Sequence, residues 1–207
     1  MRMFDAALSA ATALTWYHLS PERQYAEGNV RRYHDLAILS GRTEYAERVA
    51  DITGEVNGPL LEIGAGTGLV SRTLAKRHGD RLLCTDIEPA VLAFNPHTRT
   101  RVADCRDLPL ENASMAAIVG VGVYRYLKSE TVGDFWTEMR RAIRASGRLV
   151  LGEFHPRFIG IRGSEVNAAD ARGLFSFHTC HLNPAYARLG KRVLRIGTNV
   201  TYTFLPE

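Results

Sequence analysis

The segment "LLEIGAGTGLVS" at residues 60–71 places three glycines within five positions, between one apolar run and the start of another. Glycine lacks a Cβ, so it accepts positive φ angles and lets a neighbouring molecule approach the main chain. An apolar run that ends in such a turn and leads into a helical pattern predicts a buried strand, a tight loop and a helix. The missing side chains therefore predict a ligand site at a strand-to-helix turn.

Short β-prone runs alternate with helical patterns from this point onward. The runs are "LLEIG" (60–64), "LLCTD" (82–86), "TRVAD" (100–104), "AAIVGVG" (116–122) and "RLVLGEF" (148–154). They are too continuously apolar for a sheet with one solvated face, so they predict parallel strands covered by helices on both sides. We expect an α/β fold with a Rossmann-like, doubly wound and mostly parallel sheet.

A crossover helix is predicted between the last two of these runs. The segment "SETVGDFWTEMRRAIRASG" puts Phe135, Met139 and Ile143 on one stripe, with arginines late in the pattern. Gly147 falls just past the expected end of the helix, where glycine is common.

The two ends of the chain differ from the middle. Residues 1–55 carry apolar residues at helical spacing and predict an N-terminal helical cap or lid, with 56–207 as the Rossmann-like domain. Tyr-His pairs at 17–18 and 33–34 could close over a ligand, although packing is the commoner role of such aromatics. The tail, 174–205, has β-prone segments and predicts antiparallel pairing, including an antiparallel C-terminal strand.

Composition excludes several other classes of protein. The chain has 207 residues, 45% of them hydrophobic, which suits one sizeable core. Its net charge of +4 is interspersed, so no nucleic-acid surface is predicted. Cys84, Cys105 and Cys180 form no C-x-x-C pair, and His178 and His181 would face opposite sides of a strand, so no metal is predicted. No run of 18 apolar residues exists, and a cytoplasmic location is expected.

The spacing of the glycines decides between ligand classes. Counted from Gly64, glycines stand at the first, third and fifth positions, and Leu69 occupies the sixth, so the dinucleotide fingerprint is broken. No G-x-x-x-x-G-K-[ST] phosphate loop is present either. The pattern E-x-G-x-G-x-G, which begins at Glu62, resembles the first motif of the class I S-adenosylmethionine-dependent methyltransferases.

The resemblance covers roughly residues 58–155 and implies S-adenosylmethionine as the cofactor. It implies that Asp86 binds the ribose hydroxyls, that Asp104 in "RVADCRDLPL" meets the adenine amino group, and that Glu62 anchors the amino group. One departure is "SMAAIV", which lacks the aromatic-Asp pair usual at the start of the fourth strand. The full set of implied cofactor-binding residues is Glu62, Gly64, Ala65, Gly66, Gly68, Asp86, Ile87, Asp104, Cys105 and Val121.

Candidates for the chemistry follow the fourth and fifth strands, where ligands sit in such sheets. His155 is the preferred general base because its ordinary pKa of about 6.5 suits proton transfer near neutrality. A structural role for this lone histidine before a proline is equally open. Tyr124 is a second catalytic candidate, with Arg125 and Glu153 nearby in the pattern.

The expected activity is methyl transfer to a small-molecule acceptor at oxygen, nitrogen or carbon. No Asn-Pro-Pro-Tyr-like segment follows the fourth strand, which disfavours nucleic acid as the acceptor, and no membrane partner is expected. The oligomeric state stays open. Two alternatives remain: a noncatalytic cofactor-binding subunit that activates a partner, and a fold relative that binds a dinucleotide.

Overall fold

The computed structural model describes residues 30, 34, 42–54, 56–97, 99–156, 166–189 and 192–207. Its helices are α1 (Arg42–Thr53), α2 (Ser71–His78), α3 (Pro89–Leu92) and α4 (Val132–Ala142). Its strands are β1 (Leu60–Ile63), β2 (Leu82–Asp86), β3 (Thr100–Val102), β4 (Met115–Val121), β5 (Ile143–Pro156), β6 (Phe175–Leu189) and β7 (Arg192–Pro206). Short 3-10 turns cover Gly79–Arg81, Tyr124–Tyr126 and Ala168–Ala171.

These strands form one sheet in the order β3-β2-β1-β4-β5-β7-β6. Strands β1 to β5 are parallel, while β7 runs antiparallel to both β5 and β6. This arrangement confirms the predicted α/β fold with its mostly parallel sheet and antiparallel C-terminal strand. The strand order reverses between β1 and β4, which is where ligands bind in open sheets of this kind.

Helices cover both faces of the sheet. Ala46, Val49 and Ala50 of α1 pack with α2 on one face, against Leu60 and Leu82. Helix α4 covers the other face, where Phe135, Trp136 and Met139 pack against apolar side chains of β1, β4 and β5. All four residues of β1 are therefore buried, which explains why three of them are apolar; the fourth is Glu62.

The crossover helix is shorter than its sequence pattern predicted. Helix α4 ends at Ala142, and Ile143 already pairs with Met115 in the sheet, although the stripe from Phe135 to Ile143 is buried as expected. Gly147 lies inside β5, where a Cβ would come within 2.6 Å of Ile143 Cγ1. The register between β4 and β5 shifts at this point. The residues from Ile143 onward therefore belong to the sheet, although their spacing predicted a continuation of the helix.

The C-terminal region forms one long hairpin. The segments "RVLRIG" and "NVTYTF" join in the single strand β7, and Gly197 on this strand pairs with both Pro156 and Ala185. Of the N-terminal residues that were expected to form a cap, α1 is helical, while Tyr17, His18 and Tyr33 lie outside the described residues. None of the helices in the described part of the chain combines the length and the apolar content needed to cross a bilayer.

Candidate cofactor-binding site

The loop after β1 takes the left-handed backbone conformation at each of its three glycines. The φ angles are +60° at Gly64, +54° at Gly66 and +81° at Gly68. A Cβ on Gly64 would clash with Val123, and one on Gly68 would lie 2.6 Å from Asn95 Oδ1. A Cβ on Gly66 would meet nothing closer than 3.7 Å. The middle glycine is therefore the point at which a ligand can reach the main chain.

Asp86, the last residue of β2, is tied to this loop. Its Oδ2 accepts the N–H of Gly66 at 2.8 Å, and its Oδ1 accepts the N–H of Glu88 at 3.0 Å. Burial raises the pKa of Asp86, while the two backbone donors oppose this rise. Each carboxylate oxygen can accept more than one hydrogen bond, so the group can still bind two hydroxyls. The neighbouring Ile87 is 61% exposed and adds apolar surface beside the carboxylate.

Glu62 lies on β1, beneath the start of α2. Its Oε2 accepts hydrogen bonds from Ser71 Oγ at 2.5 Å and from Cys84 Sγ at 3.4 Å. Burial raises the pKa of Glu62 to about 7, against the lowering effect of these two donors. Sequence reasoning missed this network, although the place of Ser71, just after the glycine loop, was a signal that a hydroxyl would face β1.

Asp104 lies just beyond the end of β3 and is paired with an arginine that the sequence analysis did not single out. Its carboxylate accepts Arg106 Nε at 2.9 Å and the Arg106 backbone N–H at 2.9 Å. The Arg106 guanidinium holds the pKa of Asp104 below its usual range. Cys105 is partly buried, and burial raises the pKa of its thiol to about 12, with Asp104 adding to the effect. Its sulfur is therefore neutral, in keeping with an apolar wall.

The loop after β3 is fastened to α4 by an ion pair. Glu138 accepts the N–H of Leu108 at 2.6 Å, and Arg141 donates to Glu138 at 2.6 Å. Arg141 also donates to the carbonyl oxygens of Leu108 at 2.9 Å and Leu110 at 2.7 Å. The acid and the arginine stand three residues apart on one helix, which was the available sequence signal.

Glu153 on β5 organises the end of β4. Its side chain is 1% exposed, and its carboxylate accepts the Tyr124 N–H at 2.9 Å and Arg125 Nε at 3.3 Å. Burial raises the pKa of Glu153, while the charge of Arg125 opposes the rise. Both partners of Glu153 follow β4 directly, so these contacts fix the turn after that strand.

Tyr124 is also held through its side chain. Its hydroxyl donates to Asp170 Oδ2 at 2.7 Å, and its ring packs against Phe135 and Trp136. Burial and Asp170 raise the pKa of Tyr124 to about 12, so the phenol is neutral near pH 7. His155 lies one residue before the end of β5, opposite Thr198 on β7. The catalytic roles of both residues stay predictions.

One described residue of the N-terminal segment, His34, contacts the glycine loop. His34 Nδ1 and Thr67 Oγ1 are 2.7 Å apart, and Thr67 is buried within the loop. This contact places part of the predicted cap beside the site. Within the described ranges, no three His, Cys, Asp or Glu side chains are grouped so that they could hold a metal ion.

The predicted cofactor residues lie at the carboxyl edge of the parallel strands, except Glu62, which is buried within β1. The glycine loop follows β1, Asp86 and Ile87 close β2, Asp104 and Cys105 follow β3, and Val121 ends β4. This edge holds an open glycine turn, a carboxylate with acceptor capacity left after two backbone hydrogen bonds, and exposed apolar surface. Together they define a Rossmann-like α/β domain of the nucleoside-binding class.

Comparisons with known proteins identify the class more narrowly. Residues 61–151 match the family model described as "Methyltransferase domain". Comparison with curated protein sequences gives no match. The family match assigns residues 61–151 to a methyltransferase domain, and the E-x-G-x-G-x-G motif and the strand order agree with the class I S-adenosylmethionine-dependent methyltransferases. The protein is an enzyme, and S-adenosylmethionine is its cofactor.

Several solved structures share the fold. A TehB-like methyltransferase from Corynebacterium glutamicum ATCC 13032 Kitasato is 21% identical, with a TM-score of 0.64 over 91% of this chain and 100% of that one. The N-methyltransferase NodS from Bradyrhizobium japonicum WM9, in complex with S-adenosyl-L-homocysteine, is 18% identical, with a TM-score of 0.61 over 80% and 85%. Phosphoethanolamine N-methyltransferase 2 of Haemonchus contortus, bound to phosphomonomethylethanolamine, is 13% identical, with a TM-score of 0.65 over 89% and 59%.

Proposed function

We propose that this methyltransferase transfers its methyl group to a small-molecule acceptor with an oxygen, nitrogen or carbon nucleophile. The observation that carries the proposal is the low solvent exposure of the polar side chains at the ends of β4 and β5. Glu153 is 1% exposed, and the Arg125 side chain paired with it is 15% exposed. An acceptor that approaches these groups must be small enough to enter. The small-molecule complex of the Haemonchus contortus neighbour supports the same substrate class.

In this proposal the cofactor lies along the carboxyl edge of β1 to β4. Asp86 accepts the ribose hydroxyls, the open face of Gly66 admits the ligand, and Ile87 and Cys105 provide apolar surface for the adenine. The bound cofactor supplies an activated sulfonium methyl. The residues of the chain then need only hold the two reactants in line, and positioning of this kind contributes up to about 7–11 kcal/mol.

The cofactor assignment is tested by calorimetry on the variant Asp86→Ala. Loss of a charged acceptor for two hydroxyls is expected to weaken S-adenosylhomocysteine binding by about 1–3 kcal/mol. The matched control is Asp80→Ala, an exposed acid in the 3-10 turn before β2, at the opposite end of that strand. Equal affinity of wild type and Asp86→Ala would reject the ribose role.

The acceptor class is tested by methyl transfer from labelled cofactor to a panel of small metabolites, peptides and oligonucleotides. Labelling of a metabolite by the purified chain is expected. Transfer only to peptides or oligonucleotides would overturn the proposal, and transfer only after addition of a second protein would favour the partner-subunit alternative. Tight binding of a dinucleotide without affinity for S-adenosylhomocysteine would favour the second alternative, a fold relative that binds a dinucleotide.

His155 is the general base that we propose, from its place at the carboxyl end of β5. Only a neutral imidazole can accept a proton, so the transfer rate should fall toward acidic pH if His155 is the base. The variant His155→Ala is expected to lose this acid limb of the pH profile. A pH profile of the transfer rate identical to that of wild type would show that His155 is not the general base.

We also propose that residues 1–55 act as a cap over the cofactor, supported by the contact between His34 and Thr67. A double-mutant cycle with His34→Ala and Thr67→Val measures whether this contact affects binding of S-adenosylhomocysteine. Coupling of about 0.5 kcal/mol or more is expected, and strict additivity would contradict the proposal. A cytoplasmic location completes the proposal, and cell fractionation tests it.

A further inference from the structure

Asn95, Ser71 and Glu62 form a chain of hydrogen bonds, and the order of donors and acceptors in this network is determined. Asn95 Oδ1 accepts the N–H of His97 at 3.0 Å, which fixes the orientation of the Asn95 amide. Its Nδ2 is therefore the donor to Ser71 Oγ, at 2.9 Å. A serine hydroxyl has a single proton, and here Ser71 donates it to Glu62 Oε2 at 2.5 Å.

The three side chains of this chain of hydrogen bonds are all buried. Their exposed fractions are 0% for Ser71, 3% for Glu62 and 9% for Asn95. Water therefore competes little with these contacts, and a hydrogen bond to a charged acceptor is stronger in such surroundings. Ser71 is the first residue of α2, after the N-cap residue Val70, and its hydroxyl is directed at Glu62 on β1.

Asn95 also touches the glycine loop itself. The position that a Cβ would take on Gly68 lies 2.6 Å from Asn95 Oδ1 and 2.6 Å from Pro96 Cδ. The turn after α3 therefore packs directly on the loop while it supplies the first donor of the network. The orientation of Glu62 and the shape of the loop are fixed by the same residue.

We propose that Ser71 and Asn95 are positioning residues for the cofactor, because their polarised hydrogen bonds favour the charged form of the Glu62 carboxylate and orient it behind the glycine loop. This inference rests on the role of Glu62 given above, in which its carboxylate takes the amino group of S-adenosylmethionine. Ser71 and Asn95 act through Glu62 and need not touch the cofactor.

Other groups near Glu62 act on its charge in known directions. On β2, Asp86 raises the pKa of Glu62 by charge repulsion, and Cys84 lowers it as a weak donor. Strand β4 contributes the apolar Val119 opposite Glu62. From the N-terminal segment, His34 reaches the loop at Thr67, and His97 follows Asn95 with its ring on the Leu82 carbonyl oxygen.

The sign of the pH effect follows from these contacts. The Ser71 donor favours the charged form of Glu62, so its removal moves the pKa of Glu62 upward from about 7. A hydrogen bond to a charged group corresponds to a shift of about one pH unit. Because only charged Glu62 attracts the cofactor amino group, S71A is expected to bind S-adenosylhomocysteine about tenfold more weakly at pH 6 and about twofold more weakly at pH 8.

The experiment compares calorimetric affinities of the full chain between pH 6 and 8 for wild type, S71A and N95D. N95D keeps the shape of the side chain, removes the donor to Ser71 and adds a negative charge near Glu62. Both changes raise the pKa of Glu62, so the loss of affinity relative to wild type should again be larger at pH 6 than at pH 8, and this variant tests the inference also if S71A does not fold. Thr73→Val is the matched control, since Thr73 is buried on the same helix outside this network, and its profile should follow wild type. Affinity losses in S71A and N95D that are uniform across pH, or absent, would overturn the inference.

A second measurement separates this inference from the proposed function. Infrared difference spectra of the free protein follow the protonated carboxyl band of Glu62, which E62Q identifies by its loss. The midpoint of this band should rise by about one pH unit in S71A. If wild type binds no S-adenosylhomocysteine, the cofactor role of Glu62 fails, whereas an unchanged midpoint in S71A contradicts the network itself.

Discussion

The carboxyl edge of the sheet has two halves that are built differently. In the cofactor half, at the ends of β1 to β3, Gly66 faces open space and Asp86 keeps acceptor capacity beyond its two backbone donors. In the acceptor half, at the ends of β4 and β5, Glu153 is engaged by the Tyr124 N–H and Arg125. In the first half Asp104 is paired with Arg106, but Gly66 and part of the acceptor capacity of Asp86 remain available, whereas the carboxylate of Glu153 in the second half is engaged within the protein.

The same difference appears along the chain. The contacts of Asp86 join residues 2 and 20 positions apart, within one strand-helix-strand unit. The contacts of Tyr124 with Glu153 and Asp170 span 29 and 46 positions. A local unit can recur in many proteins with its motif intact, whereas long-range contacts depend on the particular course of each chain. This explains why one half carries a recognisable motif and the other does not.

The largest expected effect is in the acceptor half. Glu153→Ala removes the acceptor of a buried backbone N–H and of a largely buried guanidinium, so the free energy of unfolding should fall by about 3–5 kcal/mol. Urea denaturation measures the change, with the exposed Glu130→Ala, in the turn before α4, as the control. A loss below about 1 kcal/mol would mean that the two halves do not differ in this way.

Two glycine variants sharpen the comparison within the cofactor half. Gly64→Ala places a Cβ against Val123 at a φ of +60°, so it should lower the free energy of unfolding by about 2–4 kcal/mol. Gly66→Ala meets open space and should cost only about 1–2 kcal/mol from its φ of +54°.

Binding is expected to follow the opposite order, because a side chain at Gly66 fills space that the ligand needs. Gly66→Val should abolish binding of S-adenosylhomocysteine while the thermal transition of the protein remains cooperative. Calorimetry and thermal unfolding on the same samples check both statements. Normal affinity in Gly66→Val would show that this loop is not the contact with the cofactor.

The smallest expected effect on stability is at Tyr124, where it helps to separate a structural role from a catalytic one. Tyr124→Phe removes the hydrogen bond to Asp170 and should lower the free energy of unfolding by about 1 kcal/mol, with cofactor affinity unchanged. The methyl-transfer rate is the deciding measurement. A methyl-transfer rate near that of wild type would show that Tyr124 has a structural role. A large fall in this rate at unchanged cofactor affinity would show that Tyr124 is a catalytic residue.

Local patterns predicted the sheet and the glycine turn because each depends on residues close together in the sequence. Strand β2 matches its predicted range, and all three loop glycines have the positive φ that their spacing suggested. The end of α4 was mispredicted, since Ile143 suits a helical stripe and a strand equally well. Only the pairing of Ile143 with Met115 decides between the two.

Arg106 stands only two positions from Asp104, so this pairing is local. The distant partners of the site's polar groups were not predictable, for a related reason. Asp170 lies 46 positions from Tyr124 and Asn95 lies 24 positions from Ser71, so each was one of many polar residues without a local signal. Their roles depend on where folding brings them, and burial then sets their pKa values through the loss of water.

The amino-acid sequence by itself determined the alternation of strands and helices, the glycine turn and the order of the carboxylates, because apolar periodicity and backbone freedom act over a few residues. Tertiary structure alone decided which of those carboxylates remain open to a ligand and which are used inside the protein. The reason is that a hydrogen bond or an ion pair forms between atoms close in space, and packing of the whole sheet determines those distances.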